Sequence, residues 1–342
     1  MSGHVAPRPG HRVSVGVHPV LRYAVRRVLA GAGTLLVLSV LVFLATSVLP
    51  GDAASAVLGR NATGPALREL RQEMGLDQPI WVQYRDWLTG LLQGDLGRSV
   101  SSYLTGSDVS VWSQVGGKLS NSLTLAALAF AVIVPVSLAG GVLVALRAGR
   151  WQDHVISTVT LVPSALPEFV LGTVLLAVFF TWLDVLPPVS LIAPGTSPLE
   201  APDLLVLPLL TLVGVTVGAA IRMIRAGMLD ALAADYVTVA RLNGIAEPRV
   251  VRRYALRNAL APSIQVFALI AQYLVGGLLI VEYMFAYPGI GNELVQAVTI
   301  HDNTEVRSVT MLLAAIYVAL MILADVIVLL VVPKLAEVGG SA

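Results

Sequence analysis

The chain has 342 residues, 56% of them hydrophobic and 13% charged, with a formal net charge of +1 and a mean hydropathy of +0.81. A soluble domain carries about 25% charged residues, so this composition excludes an ordinary soluble enzyme and a disordered protein, and the small net charge provides no overall field to recruit nucleic acid. Cysteine is absent, which removes disulfides, thiolate metal sites and cysteine catalysis together.

The N-terminal stretch Met1–Pro19 is rich in Pro, Gly, Arg and His without an apolar period and reads as a disordered tail. Val28–Gly51 is uncharged and forms the first predicted span. Its apolar core is longer than that of a signal peptide, and Leu49-Pro50-Gly51-Asp52 follows instead of a cleavage site, so it reads as an uncleaved anchor. In the long segment Asp52–Lys118, Pro65 through Met74 suits a short helix with proline in its first turn and Gly75 just past its end. Ile80, Tyr84, Trp87, Leu88 and Leu91 fall on one face of a second helix. That stripe is suited to pack on the bundle, on the lipid interface or on a partner.

Five further stretches are long enough for a hydrocarbon core of ~30 Å, which takes about 20 helical residues. They are Leu119–Leu146, Val155–Leu183, Leu204–Ile221, Asn258–Val281 and Ser308–Pro333. Only Glu168 and Asp325 interrupt them with charge. The prediction is an all-α polytopic membrane protein with six transmembrane helices.

Lysine and arginine near the span ends set the orientation. Fifteen basic residues lie on one side: five in the N-terminal tail, Arg147 and Arg150, seven between Arg222 and Arg257, and Lys334. Opposite, the third-to-fourth loop has Asp184, Glu200 and Asp203 with no basic residue, and the fifth-to-sixth loop has only Arg307. Both termini are therefore expected in the cytoplasm. The expected division is a tail 1–27, a first helix 28–51, an extracytoplasmic segment 52–118, a five-helix domain 119–334 with a cytoplasmic loop 222–257, and a tail 335–342.

No catalytic site emerges. Gly117-Lys118 has Trp112 and Leu119 where a P-loop needs glycine and Ser or Thr, and no His-Glu-x-x-His occurs. No metal or cofactor is implied, and any ATP that drives this chain must be bound by another. The loop 222–257 is the informative stretch. The run from Met228 reads as a helix ending near Asn243, with Gly244 at the position that favours a left-handed backbone and Pro248 opening a further turn. Its arginines could mimic a DNA-reading motif, but tethering between two spans argues against nucleic acid. A topological loop or a docking element for a cytoplasmic partner remains.

Ala234-Asp235-Tyr236-Val237-Thr238-Val239-Ala240-Arg241-Leu242-Asn243-Gly244, followed by Arg253-Tyr254-Ala255-Leu256-Arg257-Asn258-Ala259-Leu260-Ala261-Pro262, resembles the coupling motif of ABC-importer permeases, nearest the dipeptide/oligopeptide/nickel subfamily. The general pattern has Glu-Ala-Ala where this chain has Thr238-Val239-Ala240. Leu49-Pro50-Gly51-Asp52, Gly75-Leu76-Asp77-Gln78-Pro79, Gly94-Asp95-Leu96-Gly97-Arg98-Ser99, Tyr287-Pro288-Gly289-Ile290-Gly291 and His301-Asp302 extend the likeness, in the manner of the B-type partner. The resemblance implies a type I ABC importer permease fold in a bacterial inner membrane. It also implies a second homologous permease, two cytoplasmic ATPase subunits and an extracytoplasmic substrate-binding protein. On it, Asp235, Ala240, Arg241 and Gly244 are the coupling residues, with Gly244 permitting close backbone approach and Ala240 leaving room for the partner. The expected cargo is peptide, with nickel or another small solute as the alternative within the family. A secondary transporter would want inverted repeats and a buried set of coupling acids, and a mere anchor would not explain the glycine-turn helix.

Three further features bear on packing and transport. Gly214-x-x-x-Gly218 and Gly276-Gly277 read as close helix contacts, within the chain or against the partner permease. Asp325 is expected to pair structurally or to touch substrate. Glu168, thirteen residues beyond Val155 and roughly 20 Å deep on a straight helix, must face the bundle, water or a partner rather than lipid. It either hydrogen-bonds structurally, covering a carbonyl freed by Pro163 or Pro167 or touching the partner permease, or lines the pathway and attracts the amino end of a peptide.

Overall fold

The computed structural model describes residues 17–48, 53–58, 63–105, 109–193 and 195–331. The tail before Val17, the Leu49–Asp52 motif and Lys334 lie outside the described residues. Helix α1 (Val17–Val48) starts well before Val28 and carries Arg22, Arg26 and Arg27 in its early turns, because Pro19 is tolerated in a first turn and nothing after it breaks the helix. Four short helices follow: α2 (Ala53–Leu58), α3 (Gly64–Glu73), α4 (Ile80–Leu92) and α5 (Val100–Thr105). As expected, α3 has proline in its first turn and Gly75 beyond its end, at φ +67°.

The α4 stripe packs on the bundle through its middle. Tyr84 and Trp87 meet Phe43 of α1 at ring-centroid distances of 5.3 and 5.8 Å. The Tyr84 hydroxyl and Ser39 Oγ share a hydrogen bond of 2.8 Å. Leu91 joins a small core with Leu96, Val111, Val115, Ile290 and Val309. Ile80 departs from the expectation and is exposed, as is its neighbour Trp81.

α6 (Val111–Leu146) begins earlier than Leu119, because Ser110 caps it and accepts the Ser113 N–H at 3.2 Å. The expected third span is not one helix. α7 (Trp151–Ser164) and α8 (Glu168–Leu176), prolonged by a π-type turn to Trp182, meet at 104°. Pro163 and Pro167 account for the break. Pro167 has no N–H for the ladder and holds Leu166 out of helical geometry, then starts α8 by accepting the Val170 N–H at 3.0 Å. The straight-helix depth assigned to Glu168 fails for this reason: the residue sits at the corner.

α9 (Pro202–Ala233), α10 (Asp235–Leu242), α11 (Glu247–Arg249), α12 (Leu256–Met284), α13 (Ile290–Thr299) and α14 (Asn303–Val331) complete the chain. Among the described residues five helices are long and apolar enough to cross a membrane, and the bent α7–α8 pair makes a sixth if counted as one span.

The core centres on α9. A Cβ on Gly140 or Gly141 of α6 would lie 2.7 Å from Ile221 or 2.6 Å from Ile224 of α9. Reciprocally, a Cβ on Gly218 of α9 would overlap the Thr160 carbonyl of α7, and one on Gly214 would lie 2.8 Å from Leu171 of α8. The G-x-x-x-G therefore packs within the chain. Gly276, by contrast, has nothing within 4 Å of its Cβ position. Asp325 pairs with Arg27 at 3.2 Å and ties α14 to α1, which selects its structural reading. Arg307 lies 4.3 Å from the Phe43 ring centroid and donates to Thr46 at 2.6 Å and Ser47 at 3.1 Å, securing the far end of α1.

Gly218→Ala should shift or splay α7 at a cost of about 1–3 kcal/mol, the range for forced overpacking. Gly33→Ala, with nothing within 4 Å of its Cβ position, should leave stability unchanged. Thermal unfolding in detergent, followed by size-exclusion fluorescence, distinguishes the two.

Candidate partner-docking site

The connection from α9 to α12 is a closed handle. α9 runs past Ile221, and Ile224, Met228 and Ala231 bury its last turns in a cluster with Ala145, Ala255 and Ala259. Arg225 donates twice to Asp153, from Nε at 3.0 Å and Nη2 at 2.7 Å, and the Gly149 N–H donates to the same carboxylate at 2.9 Å. Asp153 is buried. A buried ion pair needs such complete hydrogen bonding to offset desolvation, and this one fastens α9 to the start of α7.

The single helix expected from Met228 to Asn243 is two. Ala234 adopts an extended conformation (φ −72°, ψ 147°) between α9 and α10. The break swings α10 so that Val237 and Ala240 turn inward onto Val250, Ile245 and Tyr254. Asp235 lies in the first turn, where the helix dipole favours a negative charge.

The far end closes as a Schellman turn. The Ile245 N–H donates to the Ala240 carbonyl at 3.2 Å and the Gly244 N–H to the Arg241 carbonyl at 2.9 Å. Gly244 sits at φ +76°, a conformation that costs other residues ~1–2 kcal/mol. Ile245 packs back on Val237 and Ala240, the apolar contact that accompanies this motif. Arg241 spans the turn to Glu247 with bonds of 3.1 and 2.6 Å. That hydrogen-bonded guanidinium holds the Glu247 carboxyl below the usual carboxylate range.

Asp235, Ala240, Arg241 and Gly244 thus share one small unit. Ala240 is 3% exposed, so the room its small side chain leaves is filled by this chain. Gly244 is exposed, with no atom of this chain within 4 Å of its Cβ position, so within the chain glycine is needed there for backbone conformation. The outward edge of α10 is Tyr236, Val239 and Leu242, the last 82% exposed. The sequence reading did not single these out, although their three-residue spacing opposite Val237 and Ala240 carries the signal.

Glu168 lies elsewhere, in the first turn of α8, partly exposed, where it accepts a hydrogen bond from the Tyr273 hydroxyl of α12. It covers no carbonyl freed by either proline among the described hydrogen bonds. A third acid was missed because the fifth span was ended at Val281: Glu282 occupies the last turn of α12, fully buried. Its Oε2 accepts the Gly291 N–H at 2.7 Å, and a Cβ on Gly289 would overlap its carboxylate. The glycines of Tyr287-Pro288-Gly289-Ile290-Gly291 make room for this side chain. The same loop is held to α6 by Asn121 donating to the Pro288 carbonyl at 2.9 Å and Tyr287 to the Asn121 carbonyl at 2.8 Å.

With this geometry in place, comparison with known proteins identifies the class. Residues 137–337 match the family of binding-protein-dependent transport system inner membrane components, and residues 20–106 match that family's N-terminal region. The chain belongs to this family and is a transport component of a bacterial inner membrane, not a catalyst. It is 33% identical over 309 residues, 90% of this chain and 97% of the relative, to a protein of Brucella abortus (strain 2308) named for a peptide transport system permease. It is 31% identical over 308 residues, 90% of this chain and 96% of the relative, to the glutathione transport system permease protein GsiC of Escherichia coli (strain K12).

The Arg241–Glu247 clasp makes the handle pH-dependent. Because the folded-state value of Glu247 is depressed, its stabilisation is present above the ordinary glutamate range and is lost as pH falls through the lower folded value. Hydrogen exchange at Gly244 and Ile245, corrected for intrinsic rate, should be flat from pH 8 to about pH 6 and rise only below the ordinary carboxylate range. Glu247→Gln should raise exchange at neutral pH.

Proposed function

We propose that this chain forms half of the translocation pathway of an ATP-driven type I importer for peptides. In this reading the α7–α8 pair counts as one crossing, giving six, and both termini and the 222–257 handle are cytoplasmic. A second homologous permease completes the pathway, two ATPase subunits dock on the handles, and an extracytoplasmic binding protein delivers cargo. The observation that carries the reading is α10: a short helix anchored rigidly to two spans with an apolar edge turned outward. Rigid attachment at both ends is what a helix needs to convert partner movement into span movement. The relatives named for peptide and for glutathione transport, glutathione being itself a tripeptide, favour peptides as cargo.

Gly244→Val should strain the Schellman turn by about 1–2 kcal/mol and misplace α10. Membrane insertion should survive while substrate-stimulated ATP hydrolysis falls. Leu242→Asp should leave the handle folded and release the ATPase subunits on purification. Wild-type transport by both variants at normal expression would overturn the docking assignment.

Glu168 is assigned in the same reading to the pathway wall, at the corner of the broken span and steadied by Tyr273. Glu168→Gln keeps shape and hydrogen bonding but removes the charge. Uptake of peptides with a free amine should fall about fivefold relative to N-acetylated ones, the effect of losing roughly 1 kcal/mol of partly screened attraction. Equal slowing of both would leave a structural role only.

A further inference from the structure

We infer that Arg249, Arg252, Arg253 and Arg257 form a binding groove for the phosphate of an anionic phospholipid headgroup. Of the seven arginines between positions 222 and 257, Arg225 and Arg241 are neutralised by Asp153 and Glu247. The four named here are all exposed and have no carboxylate within ion-pair distance among the described residues.

Their alignment is built by the backbone. Residues 249, 253 and 257 recur every four positions, and the π-type turn Val250–Ala255 connects α11 to α12 across them. Val250 and Ala255 point into the protein and Tyr254 packs on the α10 core, which leaves Arg252 and Arg253 facing out. The four arginines, with Ala246, Pro248 and Leu256, line a groove of about 640 Å³. Four like charges around one groove repel, so an anion there relieves an electrostatic cost.

The location selects lipid. The uncharged stretch of α12 starts at Asn258, directly after Arg257. The last arginine of the groove therefore stands at the edge of an apolar helix, where a long cationic side chain extends to the headgroup layer. Leu256 and Pro248 give the groove apolar surface beside its cations, which suits a glycerol backbone next to a phosphate. The apolar edge of α10 is a separate surface, so lipid and ATPase do not compete for the same residues.

This inference rests on the cytoplasmic placement proposed above. That placement is checked independently with Asn243→Cys in this otherwise cysteine-free chain: labelling of inside-out vesicles only, with a membrane-impermeant maleimide, keeps the topology.

The test is native mass spectrometry of the purified complex with phosphatidylglycerol or phosphatidylcholine added to detergent. The wild type should retain phosphatidylglycerol selectively. The combined Arg252→Gln, Arg253→Gln and Arg257→Gln variant should lose about fivefold in affinity per arginine, roughly a hundredfold in all, with its ATPase subunits still bound. The corresponding Lys variant should stay within about threefold of wild type, because a phosphate surface reads charge. Equal retention of the two lipids, or undiminished phosphatidylglycerol on the Gln variant, would overturn the proposal. Loss of the ATPase subunits with lipid retained would assign the groove to an acidic protein surface. Displacement of the lipid by millimolar inorganic phosphate would assign it to the free ion.

Discussion

The close approach of α9 to its neighbours is the constraint on which the rest of the structure depends. Inside a bilayer, burying apolar surface between helices gains little, because lipid tails are as apolar as leucine, and association relies on fitted packing and polar contacts. Here the fit is reciprocal: α9 receives Thr160 and Leu171 at Gly218 and Gly214, and inserts Ile221 and Ile224 over Gly140 and Gly141. The Asp153–Arg225 pair then fixes the same helix near its C-terminal end. α6, α7 and α8 are thereby placed by one rod, and the handle inherits its position from that rod.

From this follows a division between surfaces that are finished and surfaces that await a partner. The inner side of α10 is finished, with Val237 and Ala240 seated on Val250 and the turn closed at Gly244. The Tyr287–Gly291 loop is finished too, pinned by Glu282, Asn121 and Tyr287. The outward edge of α10 and the arginine groove are not: among the described residues, one is apolar without cover and the other cationic without a counter-charge.

Much of this was legible in the sequence. The spans announce themselves as uncharged runs, Gly244 as the left-handed residue after a helix, and Gly214-x-x-x-Gly218 as a close contact. What was not legible depends on partners distant along the chain. Pro163 and Pro167 signalled bending, but a 104° corner requires α9 and α12 to hold both halves. Ala234 has no side chain that forbids a helix, so the break there comes from the pull of Val237 and Ala240 toward Val250, which only the folded chain brings near. Glu282 was hidden for a related reason: an acid one residue past the expected end of a span reads as solvated, and its burial depends on the returning loop.

α9 has a mechanical consequence beyond packing. From Pro208 to Ala233 it is an unbroken helix, about 38 Å long at ~1.5 Å per residue, with no further proline and no π-bulge to act as a joint. A tilt of about 5° at one end therefore sweeps the other through about 3 Å by the same geometry. The Ser190 hydroxyl bonds the Leu204 carbonyl near the N-terminal end of α9, and the Ser190 N–H bonds the Phe285 carbonyl, so that end is joined to the loop beyond α12. The two ends of α9 are thus linked by a stiff crank, and small angular changes at the handle become ångström-scale displacements at the Ser190–Phe285 junction.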